Sequence, residues 1–138
     1  MTPAVRRGSS AVVAVLVAMV LVAGLHADGV AWLRTRAALH RAAVAGVRAV
    51  GPAAGPSGAL RVDPAPEGTV RAAVQAAWSS ESPAVRATGT PRFVVRAAQH
   101  DGWPIVEVEA AMAVELPWGL AFWLADGPVI RVRGAGRR

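Results

Sequence analysis

An uncharged apolar run near the N-terminus, residues 8–27, constrains this chain more than any other feature. Apart from a few Gly and Ser residues and one His, it consists of Ala, Val, Leu and Met. A helix of about 20 residues is roughly 30 Å long, which matches the hydrocarbon core of a bilayer. Arg6 and Arg7 directly precede the run, whereas only His26 and Asp28 follow it closely. The sequence therefore predicts a membrane-directed helix.

The helix is either removed by cleavage or retained in the membrane. Cleavage after Ala27 would release a soluble product, but Leu25 then occupies a position where signal peptidase prefers a small residue. A helix that stays in the membrane is the interpretation we favour. Because short cytoplasmic flanks are enriched in Arg, we expect a single-pass protein of the cell membrane with its N-terminus cytoplasmic and its C-terminal domain extracytoplasmic.

Charge and composition exclude several classes of function. The formal net charge is +6, yet all 15 basic residues are Arg and they are spread along the chain. A nucleic-acid-binding protein would cluster them on one patch, so we expect no nucleic-acid partner. The chain contains no cysteine, which excludes disulfides and thiolate metal sites.

The distribution of Pro and Gly divides the chain into four parts. Residues 1–8 are a basic leader, and residues 9–50 form a transmembrane helix that extends into a stalk. Residues 51–68 are a Gly/Pro-rich linker, and residues 69–138 form a small extracytoplasmic domain. The predicted fold class is α+β, with a small antiparallel sheet of three or four strands packed on one short helix.

Two lines of residues are expected along the stalk. We expect an apolar line at Leu33, Ala37, Val44 and Val47. A second line consists of Arg34, Arg41 and Arg48, which recur every seven residues. This basic line either faces solvent or contacts lipid headgroups or an acidic neighbouring helix. Trp32 is expected at the level of the headgroups.

The short helix of the domain is predicted from Thr69 to about Ser80. Its apolar stripe, which we expect to pack on the sheet, consists of Val70, Ala73, Val74, Ala77 and Trp78. Ser82 and Pro83 end this helix. Residues 85–88 are a candidate edge strand.

A β-hairpin is predicted for residues 92–98 and 103–116, since Asp101-Gly102 is a strong turn signal. With these two residues as the loop, the two residue numbers of each cross-strand pair add up to 203. Phe93 then faces Ala110 and Val95 faces Val108 on the buried side, and Arg96 faces a glutamate, Glu107, on the other side. Met112 and Val114 continue the buried side.

The C-terminal region contains an aromatic loop and a last strand. The strand covers residues 129–133, with Ile130 and Val132 on one face and Arg131 and Arg133 on the other, and residues 134–138 are expected to be disordered. The loop at residues 117–124 carries Trp118, Phe122 and Trp123. These aromatic residues either cover the small core or form a contact surface for a partner.

No catalytic or metal-binding motif is present in the sequence. His26, His40 and His100 lie in separate segments without ligand spacing. Glu107 and Glu109 share one strand face, but neighbouring arginines favour a solvated ladder of ion pairs over acid–base chemistry. We therefore expect no enzyme, no cofactor, no metal and no small-molecule substrate.

The arrangement resembles the TadE-like pseudopilins of tight-adherence (Flp-type) pilus systems. The resemblance rests on a short Arg-rich leader, the segment Arg7-Gly8-Ser9-Ser10-Ala11-Val12, the membrane helix with its Ala/Arg-rich continuation, and the later motifs VEVEAAMAVELPW and VIRVRG. It implies an inner-membrane protein that assists the assembly of a pilus or a related secretion apparatus. Its expected partners are the lipid bilayer, other subunits of the assembly and a prepilin peptidase.

The resemblance also assigns roles to residues of the helix. A prepilin peptidase would cleave after Gly8 and leave Ser9 as the new N-terminus. The family usually has a glutamate where this chain has Val13, which resembles an actinobacterial TadE-like subset that lacks it. Small residues expected to allow close helix packing are Ala14, Ala18 and Gly24. The alternative function is a small secreted binding protein released by cleavage near Ala27. A third function is a lipid-facing accessory protein that uses Trp32 and the arginines at the membrane surface.

Overall fold

The computed structural model describes residues 3–49, 66–100, 103–119 and 129–137. Along the chain the elements are α1 (Pro3–Ala49), α2 (Pro66–Ser79), α3 (Pro83–Arg86), β1 (Arg92–His100), β2 (Trp103–Ala113) and β3 (Val129–Arg137). The fold is α+β, with a long N-terminal helix followed by short helices and a small antiparallel sheet. This confirms the predicted fold class. Most of the predicted linker, residues 51–65, lies outside the described residues.

The hairpin register matches the sequence prediction at every predicted pair. β1 and β2 pair antiparallel, with His100 opposite Trp103, Phe93 opposite Ala110 and Val95 opposite Val108. The turn residues Asp101 and Gly102 lie outside the described residues. β3 pairs antiparallel with the other edge of β2, which gives the strand order β1-β2-β3.

The last strand is longer than predicted. Its backbone pairs with β2 as far as Arg137, which lies opposite Ile105, so the expectation of a disordered tail from residue 134 is wrong. Residues 134–136 are Gly, Ala and Gly, whose small side chains give no alternating apolar pattern from which a strand could be predicted. The ladder of backbone hydrogen bonds to β2 compensates for the missing side-chain contacts.

The core lies between the C-terminal half of α1, one face of α2 and one face of the sheet. Its largest fully buried apolar side chains are Leu39 of α1, Val70 and Val74 of α2, and Val108 of β2. In the predicted stripe of α2, Val70, Val74 and Trp78 are buried and the two alanines are partly buried, but the stripe packs mainly on α1 and less on the sheet. The predicted buried positions Met112 and Val114 are in the core as well.

The buried face of α1 differs from the predicted apolar line. Leu33 is 58% exposed and Ala37 is exposed as well. The residues that are buried instead are Thr35, Ala38, Leu39, Ala42 and Ala43. Four of these five side chains are small, so α2 and the sheet approach the helix backbone closely. Gly46 continues this face against the side chains of Val74, Val70 and Val108.

The segment predicted as a short edge strand is helical instead. Pro83 begins a single turn, α3, because its fixed φ suits the first position of a helix. Val85 is buried in the core, the chain turns at Ala87 and Thr88, and Gly89 follows with a φ of +156°. The N–H of Glu115 donates to the carbonyl of Thr88 at 2.7 Å, which joins this turn to the segment directly after β2.

Candidate membrane-facing site

The N-terminal part of α1 exposes its apolar side chains on every side. Its most apolar 18-residue window has a mean hydropathy of 2.4, and only 6% of this window is buried. The exposed large side chains are Val12, Val13, Val15, Leu16, Val17, Met19, Val20, Leu21, Val22 and Leu25. By length and composition this helix can cross a membrane.

The processing and packing residues suggested by the sequence lie along this apolar part. Gly8 is helical in its backbone, and Ser9 is exposed. Ala14 and Ala18 are exposed, so a neighbouring helix has access to them, whereas Gly24 is buried. Val13 is 58% exposed, and no carboxylate lies between residues 9 and 27.

A buried carboxylate marks the point where α1 enters the folded domain. Asp28 is only 4% exposed, and its Oδ1 accepts a hydrogen bond of 2.8 Å from the backbone N–H of Trp118. A carboxylate accepting a backbone N–H is a strong, charge-assisted contact. It fixes the segment after β2 beside the end of the apolar run.

The aromatic residues of the predicted loop are only partly described. Trp118 is 52% exposed, which makes this indole a surface group and leaves it free to contact lipid or a partner. Phe122 and Trp123 lie outside the described residues. The exposure of Trp118 argues against core cover at this residue, and its role as a contact surface stays a prediction.

A second tryptophan lies one turn beyond Asp28. Trp32 is half-buried against the core, and the guanidinium carbon of Arg36 lies 5.4 Å from the centroid of its ring. This distance is within the range of a cation–π contact. Because helical side chains tilt toward the N-terminus, Arg36 extends back toward the apolar part of α1.

An open groove lies between α1 and β3. It has a volume of about 540 Å³, and its lining residues are Leu33, Arg36, Ala37, His40, Arg131 and Arg133. Three arginines and one histidine line it, from two elements that are distant in sequence. Arg133 also lies 4.0 Å from a carboxylate oxygen of Glu107.

The outer face of the sheet carries the expected ladder of ion pairs. Arg96 lies 4.0 Å from Glu109, and Arg133 lies 4.0 Å from Glu107. Both contacts are diagonal, since Glu107 lies opposite Arg96 and Glu109 opposite Arg133 in the strand register. Each glutamate thus has an arginine neighbour, as a solvated ion-pair ladder requires.

The basic line along α1, which consists of Arg34, Arg41 and Arg48, is exposed. Its surroundings, solvent or lipid headgroups, stay a prediction. Arg41 donates two hydrogen bonds, of 2.9 and 3.0 Å, to the carboxylate of Glu81, and these bonds raise the pKa of Arg41 above its ordinary value. Since a guanidinium is protonated at all pH values where proteins fold, Arg41 itself adds no pH dependence.

The described residues contain no group of three or more His, Cys, Asp or Glu side chains able to hold a metal ion. His26 and His40 are exposed, and the side chain of His100 lies outside the described set. Comparisons with models of known protein families, with curated proteins and with solved structures find no match for this chain.

Two features of this region do not follow from sequence reasoning. The first is the contact between Asp28 and Trp118, which are 90 residues apart. The second is the groove, because the alternating arginines of β3 indicate only a solvent-facing side of a strand. The approach of α1 to the edge of β3 brings the arginines together, and no local pattern encodes that approach.

Proposed function

We propose that this chain is a non-enzymatic, single-pass membrane protein that serves as a component of a pilus or secretion assembly. The observation that supports it best is α1, whose apolar N-terminal part is almost unburied while its C-terminal part continues into the core. A helix that is apolar all round needs apolar surroundings. Arg6 and Arg7 favour a cytoplasmic N-terminus and an extracytoplasmic domain.

The two tryptophans near the end of the apolar run support this placement. The backbone N–H of Trp118 donates a hydrogen bond to Asp28, and Trp32 lies one helical turn beyond Asp28 on α1. Indole side chains are enriched at the boundary between hydrocarbon and headgroups. Their position suits a domain that rests against the outer surface of the membrane.

The assembly role depends on the resemblance to TadE-like pseudopilins and on the exposed helix surface. Ala14 and Ala18 leave space for a neighbouring helix to pack closely. With Val13 in place of the usual glutamate, the helix lacks a carboxylate that would pair with the N-terminus of a neighbouring subunit. We therefore propose lateral packing by shape, with other subunits of the assembly as partners and a prepilin peptidase as the processing enzyme.

The N-terminal residue of the mature protein, recovered from fractionated cells of the native host, tests this proposal. A start at Ser9 in the membrane fraction is the expected result of prepilin-type processing. A start at Met1 in that fraction retains the anchor but removes the support for the pilus role. A start at Asp28 in the soluble fraction contradicts the membrane-anchored function.

A second candidate is a small secreted binding protein released by cleavage near Ala27. One observation favours it: burial of large side chains on α1 begins beyond Ala27, so a cut there would leave the described core intact. In that case Trp118 would belong to the surface that contacts the binding partner. The same N-terminal determination separates the two candidates.

A further inference from the structure

We propose that the groove between α1 and β3 binds the phosphate of an anionic phospholipid headgroup. This inference rests on the membrane anchoring proposed above and adds a ligand to it. The groove is defined by Leu33, Arg36, Ala37, His40, Arg131 and Arg133, and its volume of about 540 Å³ falls in the usual range of ligand sites.

The charge of the groove suits an anion. Arg36, Arg131 and Arg133 are among its lining residues, and a guanidinium carries a fork of N–H donors that matches phosphate oxygens. Among the described residues, the only carboxylate in ion-pair contact with these arginines is Glu107, at 4.0 Å from Arg133, the outer limit of such a pair. The groove therefore retains an excess of positive charge.

The position of the groove suits a lipid. Arg36 lies two turns beyond Asp28, or about 12 Å along the helix. Its side chain extends back over Trp32, which lies about 6 Å beyond Asp28. The headgroup layer is roughly 5–8 Å thick on each side of the hydrocarbon, so the Arg36 guanidinium reaches it when residues 9–27 span the membrane.

The walls of the groove are divided in a way that fits an amphipathic ligand. Leu33 and Ala37 line the groove with exposed apolar surface of α1, and Arg131 and Arg133 line it from the edge strand β3. A phospholipid presents its glycerol and upper acyl chain beside its phosphate, whereas a nucleic acid has no acyl chain beside its phosphates. Tethering by α1 also keeps the groove at the bilayer surface, where headgroups are abundant.

The test uses the full chain reconstituted in phosphatidylcholine bilayers with spin-labelled phosphatidylglycerol or phosphatidylcholine. Electron paramagnetic resonance measures the motionally restricted lipid and hence the preference for the anionic headgroup. The wild-type chain is expected to prefer phosphatidylglycerol, and Arg36→Gln is expected to lower that preference about fivefold, as is usual for one charge near a membrane surface. The double variant Arg131→Gln, Arg133→Gln is expected to abolish it.

Arg34→Gln is the matched control, since Arg34 lies on the same helix at nearly the same depth but outside the groove. An equal loss with Arg34→Gln would overturn the proposal, because the preference would then come from diffuse charge. Restricted lipid without any anionic preference would also overturn it while leaving the anchor in place. Absence of restricted lipid of either kind would overturn both the anchor and the groove assignment.

A second experiment distinguishes a lipid headgroup from a soluble phosphate as the ligand of the groove. The detergent-solubilised chain is titrated with glycerol phosphate by isothermal titration calorimetry. Heat of binding is expected to be absent at millimolar ligand, because the groove needs the acyl portion and the bilayer surface. Submillimolar binding that Arg36→Gln removes would overturn the lipid assignment in favour of a soluble anion.

Discussion

The two halves of α1 are both rich in alanine and other apolar residues, but they lie in opposite environments. From residue 9 to residue 25 the large side chains are exposed on all sides, whereas from residue 35 to residue 46 one face is covered by α2 and the sheet. The first half carries Val and Leu all round, and the second carries small residues on its buried face and arginines opposite. Charge and side-chain size therefore separate the two halves: the first has bulky apolar side chains and no charged residue, and the second combines small buried residues with exposed arginines.

The largest difference in stability between the two halves is expected when one leucine in each half is replaced by alanine. Leu39→Ala removes a side chain with no exposed surface and should lower the free energy of unfolding of the domain by about 2–5 kcal/mol. Leu16→Ala, at a side chain that is 57% exposed, should change it by less than about 0.5 kcal/mol. Urea unfolding in detergent, followed by tryptophan fluorescence, measures both. Equal losses would contradict the division of α1 into two halves.

Two glycine substitutions on α1 test the same difference between its covered and its exposed positions. Gly46→Ala places a methyl group against Val74 and Val70, whose β-branched side chains yield little, and should destabilise the domain by about 1–3 kcal/mol. Gly29→Ala meets no atom within 4 Å and should stabilise the helix by about 0.5–1 kcal/mol. Thermal unfolding of the two variants should shift in opposite directions. A stabilising Gly46→Ala would show that the helix and α2 are not in close contact.

The next largest loss of stability is expected at a buried pair of hydroxyl groups, those of Thr35 and Thr88. The Thr88 hydroxyl donates to the carbonyl of Val85 at 2.6 Å, so it accepts its 3.1 Å hydrogen bond from Thr35. Thr88→Val leaves the Thr35 hydroxyl without this acceptor and should cost about 1–2 kcal/mol. Thr90→Val, at an exposed position nearby, is the control. Equal unfolding midpoints for the two variants would refute the role of the hydroxyl pair.

The smallest effect is expected at the surface pair of Arg41 and Glu81. Two hydrogen bonds join the side chains, but the arginine is 60% exposed, so Arg41→Gln should cost only about 0.5–1 kcal/mol. Arg48→Gln, also on the exposed line, should cost less. The difference between the two variants should shrink in 1 M salt, where charges are screened. A difference that persists in salt would indicate that packing and not charge joins the helix to this segment.

The hairpin illustrates what the sequence determines locally. The dipeptide Asp101-Gly102 predicts the turn from the sequence, and the alternating apolar residues fix which side of β2 is buried, because a slip of one residue would expose Val106 and Val108. The apolar stripe of α2 is equally local, since its period is that of the helix. Both predictions need only neighbouring residues.

The features that the sequence did not predict depend on distant contacts. Three of the residues on the buried face of α1 are Ala38, Ala42 and Ala43, and alanine is so frequent in this helix that no face stands out. Val85 lies in a sequence that suits a strand, but Pro83 begins a helical turn there. The groove likewise forms only when the edge of β3 lies beside Arg36, after the sheet has packed on α1.

The most direct test of the account is the accessibility of single cysteines, because the native chain has none. Ala18→Cys and Ala72→Cys place one thiol in the apolar part of α1 and one on the exposed side of α2. In intact cells, or in protoplasts where a cell envelope blocks the reagent, a membrane-impermeant maleimide should label Ala72→Cys at once. It should label Ala18→Cys only after solubilisation and denaturation. Rapid labelling of Ala18→Cys without detergent, or recovery of the domain in the soluble fraction without residue 18, would contradict the account.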